Sequence, residues 1–475
     1  MDMYENQTQE DKKAKRTARV ILISIVVLII AIIGIIFAIL LLKSSGFKII
    51  IDGKTVSNVP EDLFIIDEVN NKVYVSIKDF AEYTDTEVVT DGNNNNNTNP
   101  YAYSAHIGEY KSDVQDENKC YVENNYETAS FFLNSNKICK LEKSQDSKKI
   151  DYDVYTVSEA VRKENDKMYV LSDGIEIAFN LKFYYNKESN NITITTLPYL
   201  ISQYDEALKE RGYTGVSTDF NNQKAILYSL FVVQTATNGE YGVLNTTSEL
   251  ISTKYKKIEF NENRKEFFVT NSSNKVGIFT ETGATKINLN YDEMKMIDSE
   301  NVLYLVKNNN KYGVINEREI NVVYTEFDQI GINTADYPTN NITNQYILYE
   351  KLIPVKQNNK WGIFSISGEK ILEVEYDSLG CIAGNIKDEV ANNLILIPDI
   401  QAIVVCKDKK YGLINITGKE LLPPATDVIY SVTNSGKDTY YTNYTIENPN
   451  AQGQDDKTIT YKINVIDYLT EQKII

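Results

Sequence analysis

The chain has 475 residues, a formal charge of −17, and 49 Lys and Arg against 66 Asp and Glu, which argues against the basic face a nucleic-acid binder needs. It holds 34 Tyr and one His, a balance that favours strands over helices and leaves little for imidazole catalysis. Its length allows a sizeable core spread over more than one domain.

The first element is apolar on every face. Val20 to Leu42 is a run of 23 residues without a charge, and at 1.5 Å per residue it reaches about 34 Å, enough for a hydrocarbon core of about 30 Å. A cleaved signal peptide is the competing reading, but its apolar region is usually about 7–15 residues. We therefore expect a transmembrane helix over 20–42. Lys12, Lys13, Lys15, Arg16 and Arg19 precede it, and only Lys43 and Lys48 follow closely. Basic flanks stay on the cytoplasmic side. The expected topology is single-pass, with a cytoplasmic basic tail over 1–19 and the bulk of the chain extracytoplasmic. Residues 1–50 carry seven basic and four acidic groups, so +3 there leaves −20 for the remainder.

Past the span, "KIII" runs into an Asp52–Gly53 turn, and "KVYVSIKDFAEYT" reads as a strand entering a short helix with Phe80 and Tyr83. "DGNNNNNTNP" over 91–100 is a polar loop. "YTVSEAVRKENDKMYVLSDGIEIAFNLKFYYNKESNNITITT" then repeats the strand–helix–strand order, and Ile192 and Ile194 mark a one-faced strand. In an exterior compartment Cys120 and Cys139 are candidates for a disulfide, while Cys381 and Cys406 read as buried free thiols. No CxxC is present, so a zinc site is not expected.

The pieces "IIIDGKTV", "KVYVSIKDFAEY" and "MYVLSDGIEIAFNLKFYYNKESNNITIT" resemble the N-terminal, stalk-like domain of copper amine oxidases; insertions at about 91–118 and 142–150 depart from it. The resemblance implies a small α+β domain over 48–200 and no oxidase chemistry, because the copper and quinone belong to another domain. A linker is expected over 201–224.

From 225 to 430 the chain is periodic. Tyr241–Gly242, Val276–Gly277, Tyr312–Gly313, Trp361–Gly362 and Tyr411–Gly412 recur with glycine spacings of 35, 36, 49 and 50 residues. An apolar strand precedes each pair, and an aromatic follows the glycine by 13 residues at Tyr255 and by 14 at Tyr291, Phe327 and Tyr376. Asn245, Asn316 and Asn415 stand after the pair; Gly283, Gly368 and Gly418 mark the next turn; Asp292, Asp328 and Asp377 follow the distal aromatic. This unit is similar to the WG-repeat family, although Trp survives only once. Each unit cannot bury its apolar face alone, so stacking must complete the core. The glycine should admit a close approach or a turn, the aromatic should cover the next unit's backbone, and Trp361 is expected in the core. Insertions at about 331–350 and 380–400 should project as loops, and a degenerate sixth unit is expected within 431–475. The fold class is mainly β.

Catalysis is poorly supported. His106 in "YAYSAHIGEY" is the single imidazole and lies by the Asn tract. Once-per-unit carboxylates serve the unit, by closing turns, rather than a site. No acidic loop has calcium-site spacing. We expect no enzyme activity, no cofactor, no metal, no nucleic acid and no small-molecule substrate. The leading expectation is a membrane-anchored, cell-surface binding or scaffold protein whose repeats meet a protein or a cell-wall glycan. The alternatives are a non-enzymatic sensor acting through a membrane partner, or a passive spacer.

Overall fold

The computed structural model describes residues 47–56, 59–60, 62–88, 101–107, 118–143, 152–333, 336–337, 345–348, 351–386, 389–447 and 458–475. The segments 1–19, 20–42 and 91–100 lie outside the described residues. Among the described residues, no helix is long and apolar enough to cross a membrane.

The first domain is built on a duplicated strand–helix unit. Strands β1 (Lys48–Ile51) and β2 (Lys54–Val56) form a hairpin through Asp52 and Gly53, at φ 50° and 79°. β3 (Phe64–Asp67) and β4 (Lys72–Ser76) lead into α1 (Ile77–Val88). A five-stranded antiparallel meander follows: β5 (Ser104–Ile107), β6 (Lys119–Glu123), β7 (Glu127–Phe132), β8 (Lys137–Glu142) and β9 (Tyr152–Thr156). Then β10 (Arg162–Glu164) and β11 (Lys167–Leu171) lead into α2 (Ser172–Phe179), followed by β12 (Leu181–Asn186) and β13 (Asn191–Thr196). β4 and β11 pair antiparallel with Val75 opposite Val170, so the two units lie side by side. Phe80 and Phe179 meet edge-on at 5.0 Å between them.

The meander shares this core through Cys120, Val122, Phe131 and Ile138. It also corrects the disulfide expectation. Cys120 sits on β6 and Cys139 on β8, with β7 between them, and both are free thiols. Two strand spacings of about 4.8 Å exceed the Cα separation a disulfide tolerates.

Helices α3 (Leu197–Glu210) and α4 (Phe220–Lys224) occupy the expected linker. Six sheets follow, numbered I to VI. Sheet I holds β14 (Leu230–Gln234), β15 (Tyr241–Asn245) and β16 (Glu249–Tyr255). Sheet II holds β17 (Lys257–Asn261), β18 (Glu266–Thr270), β19 (Val276–Thr280) and β20 (Thr285–Tyr291). Sheet III holds β21 (Glu293–Asp298), β22 (Leu303–Asn308), β23 (Lys311–Asn316) and β24 (Asn321–Phe327). Sheet IV holds β25 (Gln329–Ile330), β26 (Leu352–Gln357), β27 (Lys360–Ser365) and β28 (Lys370–Tyr376). Sheet V holds β29 (Ser378–Leu379), β30 (Leu396–Ile397), β31 (Ala402–Lys407), β32 (Lys410–Asn415) and β33 (Glu420–Thr426). Sheet VI holds β34 (Val428–Asn434), β35 (Lys437–Glu447) and β36 (Thr458–Asn464), followed by α5 (Val465–Glu471).

Each sheet packs on the next. Ile353 and Val355 of β26 face unit III, while Leu352 faces unit V; Ile403 and Val405 of β31 face unit IV, while Ala402 and Val404 face unit VI. A strand buried on both faces must be apolar at successive positions, which is why "LYLV", "LIPV" and "AIVV" read as unbroken runs. The ends are covered by helices. Leu208 of α3, with Leu200 and Ile201, packs on Phe231, Val233 and Leu244 of sheet I, and Val465 and Leu469 of α5 pack between sheets V and VI. The expected linker is thus the cap of the array.

The described parts of both insertions are partly buried. In 380–400, Cys381, Leu394, Ile395 and Ile397 lie in the cores around unit V, while Ile382 and Val390 stay exposed. In the 331–350 insertion, Ile332, Tyr337, Ile347 and Leu348 are buried as well.

Candidate functional site

The recurrent residues resolve into one clasp. Gly242, Gly277, Gly313, Gly362 and Gly412 are all buried and lie opposite a valine of the preceding strand. The strand on their other side carries a bulge that swings backbone over the glycine. A Cβ on Gly313 would sit 2.8 Å from the Val323 carbonyl oxygen and from Thr325 Cα, so only glycine fits. The close approach comes from the same unit, not from the next one. Gly368 does bridge units: at φ 88° its turn lies against unit III, with 2.9 Å from its ideal Cβ to the Val322 oxygen.

Tyr241, Val276, Tyr312, Trp361 and Tyr411 are half-buried rather than in the core. They stand at the rim, opposite Tyr255, Tyr291, Phe327, Tyr376 and Thr426 of their own unit. Each shares its strand face with the residue two positions on, Val243, Ile278, Val314, Ile363 or Leu413, which is fully buried, while the rim residue covers the edge of that core. Lys356 lies across from Trp361 with its ammonium 5.3 Å from the ring.

The lysine before each pair meets the aspartate after the distal aromatic: Lys275–Asp292 at 2.7 Å, Lys311–Asp328 at 2.6 Å and Lys360–Asp377 at 2.5 Å, with Lys410–Asp427 the fourth. The second carboxylate oxygen accepts an amide in the next unit, from Asn309, Asn358 or Asp408. Each lysine holds its partner's carboxyl below the usual range, in Asp292, Asp328 and Asp377. In unit I the signs exchange, with Glu240 at the lysine position and Lys256 at the aspartate position; Lys256 bonds Asn274 of unit II. Asn245, Asn316 and Asn415 accept amides within their own turns.

A second constellation joins the first domain to the array. Lys140 of β8 places its ammonium 3.1 Å from Glu127 of β7, 3.0 Å from Glu262 in the turn after β17, and 3.0 Å from the Asn180 side-chain oxygen. Lys224, at the end of α4, lies 3.4 Å from Glu127 and 3.3 Å from Glu262. All four charged side chains are 6 % exposed or less. Tyr103 donates to Glu127 at 3.0 Å, and Tyr155 and Tyr228 donate to Glu262 at 3.3 Å. Burial pushes the Glu262 carboxyl up, but Lys140 and Lys224 outweigh it and bring it to about 2; the same balance lowers Glu127. Two carboxylates and two ammoniums cancel. Such a network fixes geometry and offers no proton near neutrality.

None of these four residues stands out in the sequence, because four separate chain segments assemble them. One signal exists: Lys140 alternates with the buried Ile138 in "KICKLE" and so shares its inward face. His106 is stacked on Tyr121 at 4.8 Å, and its Nε2 is 3.3 Å from Ser104 Oγ and 3.4 Å from Glu123. Both neighbours use one ring nitrogen, so the imidazole cannot relay a proton between them. Among the described residues, no group of three or more His, Cys, Asp or Glu is placed to hold a metal ion.

The family model "WG containing repeat" matches residues 277–312. That segment runs from the glycine of unit II to the aromatic of unit III. The match supports the WG-repeat family for this part of the chain and does not reach the first domain. No curated protein matches. The chain is similar to a solved structure described as a eukaryotic initiation factor, at 9% identity, covering 71% of this chain and 85% of that one with a TM-score of 0.25. Hsv2 of Kluyvelomyces marxianus is 6% identical over 75% of this chain and 96% of that chain, with a TM-score of 0.21. The WD40 domain of SCAP from fission yeast is 10% identical over 44% and 74%, with a TM-score of 0.14.

Proposed function

We propose that the chain is a non-enzymatic, membrane-anchored extracytoplasmic binding or scaffold protein. In this reading the first domain, similar to the N-terminal domain of copper amine oxidases, is a stalk, and the repeat array meets a protein or a cell-wall glycan. One observation carries the reading: the recurrent chemical groups are spent on the fold. The aspartates clasp neighbouring units, the junction carboxylates are neutralised by lysines, and the imidazole has no relay geometry. What remains for contact is surface. Tyr324 is 68 % exposed on β24 and Ile320 56 % exposed beside it, and an aromatic face suits a sugar ring or a protein.

Co-sedimentation with isolated cell-wall sacculi tests the proposal. A deletion ending near Leu230 is a poor control, because it removes Glu262 and strands Lys140 in the junction. Ile320→Ser and Tyr324→Ser leave the core intact. Saturable pelleting of residues 48–475 that these variants weaken supports a glycan-binding array. No pelleting turns the search to a protein partner cross-linked at the membrane, and failure of both leaves a spacer.

A further inference from the structure

Beside the neutral junction network, a cleft of about 460 Å³ opens between the meander and units II and III, within the range of small-ligand sites. Its walls include Asp153, Tyr155, Phe260, Phe268, Met294 and Met296. The charged groups that face it from the packed elements are nearly all engaged. Glu127 and Glu262 face Lys140 and Lys224, and Glu142 accepts from Asn221. Glu259 pairs with Lys257 at 2.7 Å, and Asp298 accepts the amides of Glu300 and Asn301. Lys295 lies 5.5 Å from the Tyr346 ring.

Asp153 differs. Among the described residues its carboxylate has no hydrogen-bond or ion-pair partner. It stands opposite Lys140 in the β8–β9 register, but that ammonium is engaged by Glu127, Glu262, Asn180 and the Ile177 carbonyl. The network itself is neutral, so an ionised Asp153 adds a negative charge that neither an ion pair nor a hydrogen bond balances, in a cleft that also has aromatic and thioether walls. Burial pushes its carboxyl up to about 6 and outweighs the pull of the Lys224 and Lys140 ammoniums, neither of which pairs with it directly.

We propose that this cleft binds a small organic cation bearing a primary amine, with the ammonium on Asp153 and the hydrocarbon against Phe268, Met294 and Met296. The aromatic faces add attraction for the cation, and the methionines adapt to its shape. The amine is a ligand and not a substrate, so the site is independent of what the repeats contact.

The test is a saturation-transfer NMR titration of the full-length protein with n-butylamine hydrochloride, with n-butanol as the neutral counterpart. The ammonium stays charged across the range used, as a lysine does. We expect saturable n-butylammonium binding at about pH 7.5 that weakens roughly tenfold at about pH 5, following protonation of Asp153. Asp153→Asn should abolish it, Asp153→Glu should retain it, and n-butanol should show no saturable binding. Equal binding of n-butanol, no saturable signal, or binding unchanged in Asp153→Asn overturns the proposal. Should Asp153→Asn fail to fold, the wild-type pH profile and the n-butanol comparison decide.

Discussion

Lys311 and Asp328, seventeen residues apart, meet at 2.6 Å, while the other oxygen of Asp328 takes the Asn358 amide of the next unit at 2.8 Å. One carboxylate thus closes its own unit and fixes the hairpin that opens the following one. The hairpin it holds is a two-residue turn with Asn358 and Asn359 at φ 51° and 62°, a conformation Asn tolerates.

If Asp328 is a bridge rather than a simple ion-pair partner, the two halves of its role should separate. Asp328→Asn keeps an acceptor for the Asn358 amide and should destabilise less than Asp328→Ala. A double-mutant cycle with Lys311→Met isolates the ionic part, which should shrink as salt rises. Equal destabilisation by both Asp328 variants would remove the amide from the account.

Gly313→Ala should cost about 1–3 kcal/mol, because the bulged strand cannot withdraw without breaking its ladder. Urea unfolding of this variant against Gly436→Ala is the check. Gly436 has a positive φ of 77° but nothing within 4 Å of its ideal Cβ, so only backbone strain acts there.

At the junction, Lys140→Met leaves Glu127 and Glu262 buried with one cation between them and should cost about 3–5 kcal/mol. The Lys140→Met, Glu262→Gln double variant should cost less than the sum of the single changes. Strict additivity in urea unfolding would mean the groups do not act as one network.

Two carboxylates, the buried Glu262 and the half-buried Asp153, give opposite pH signatures. Glu262 has a folded value of about 2 against an ordinary 4.5, so its stabilisation is complete above about 4.5 and is lost as pH falls toward 2. Asp153 is raised from 3.8 to about 6, so it binds more protons when folded, and its effect is to reduce stability as pH rises through that window. Asp153→Asn should therefore match the wild type below about pH 4 and exceed it above about pH 6, by on the order of 3 kcal/mol. Stability measured by urea unfolding across pH would refute this if the two curves stay parallel.

Trp361 is the single tryptophan and sits half-buried at the rim of unit IV, whereas Ile363 two residues on is fully buried. Ile363→Ala should cost about 2–5 kcal/mol and Trp361→Ala less. The fluorescence of Trp361 reports unit IV alone, and its unfolding curve should coincide with the circular dichroism of the whole chain if the clasps couple the units. Separate transitions would show an array that unfolds piecewise.

Much of the array was legible in the chain itself. Apolar runs such as "AIVV" record burial on two faces, the aromatic–glycine spacing records the unit, and the strand–helix grammar of the first domain reappears as paired β4 and β11. These signals are local, because strand alternation, turn conformation and bulge sterics act within a few residues. The disulfide did not survive, the described parts of the insertions are partly buried, Trp361 stands at the rim of its core, and 201–224 holds helices that cap the array, since each depends on which surface a segment finally meets. Cys120 and Cys139 are parted by a strand whose register no spacing reveals, and α3 became a cap because sheet I had an apolar face left over. The junction network is the clearest case. Glu127, Lys140, Lys224 and Glu262 are ordinary charges along the chain, and only packing that removes water from all four turns them into one interaction.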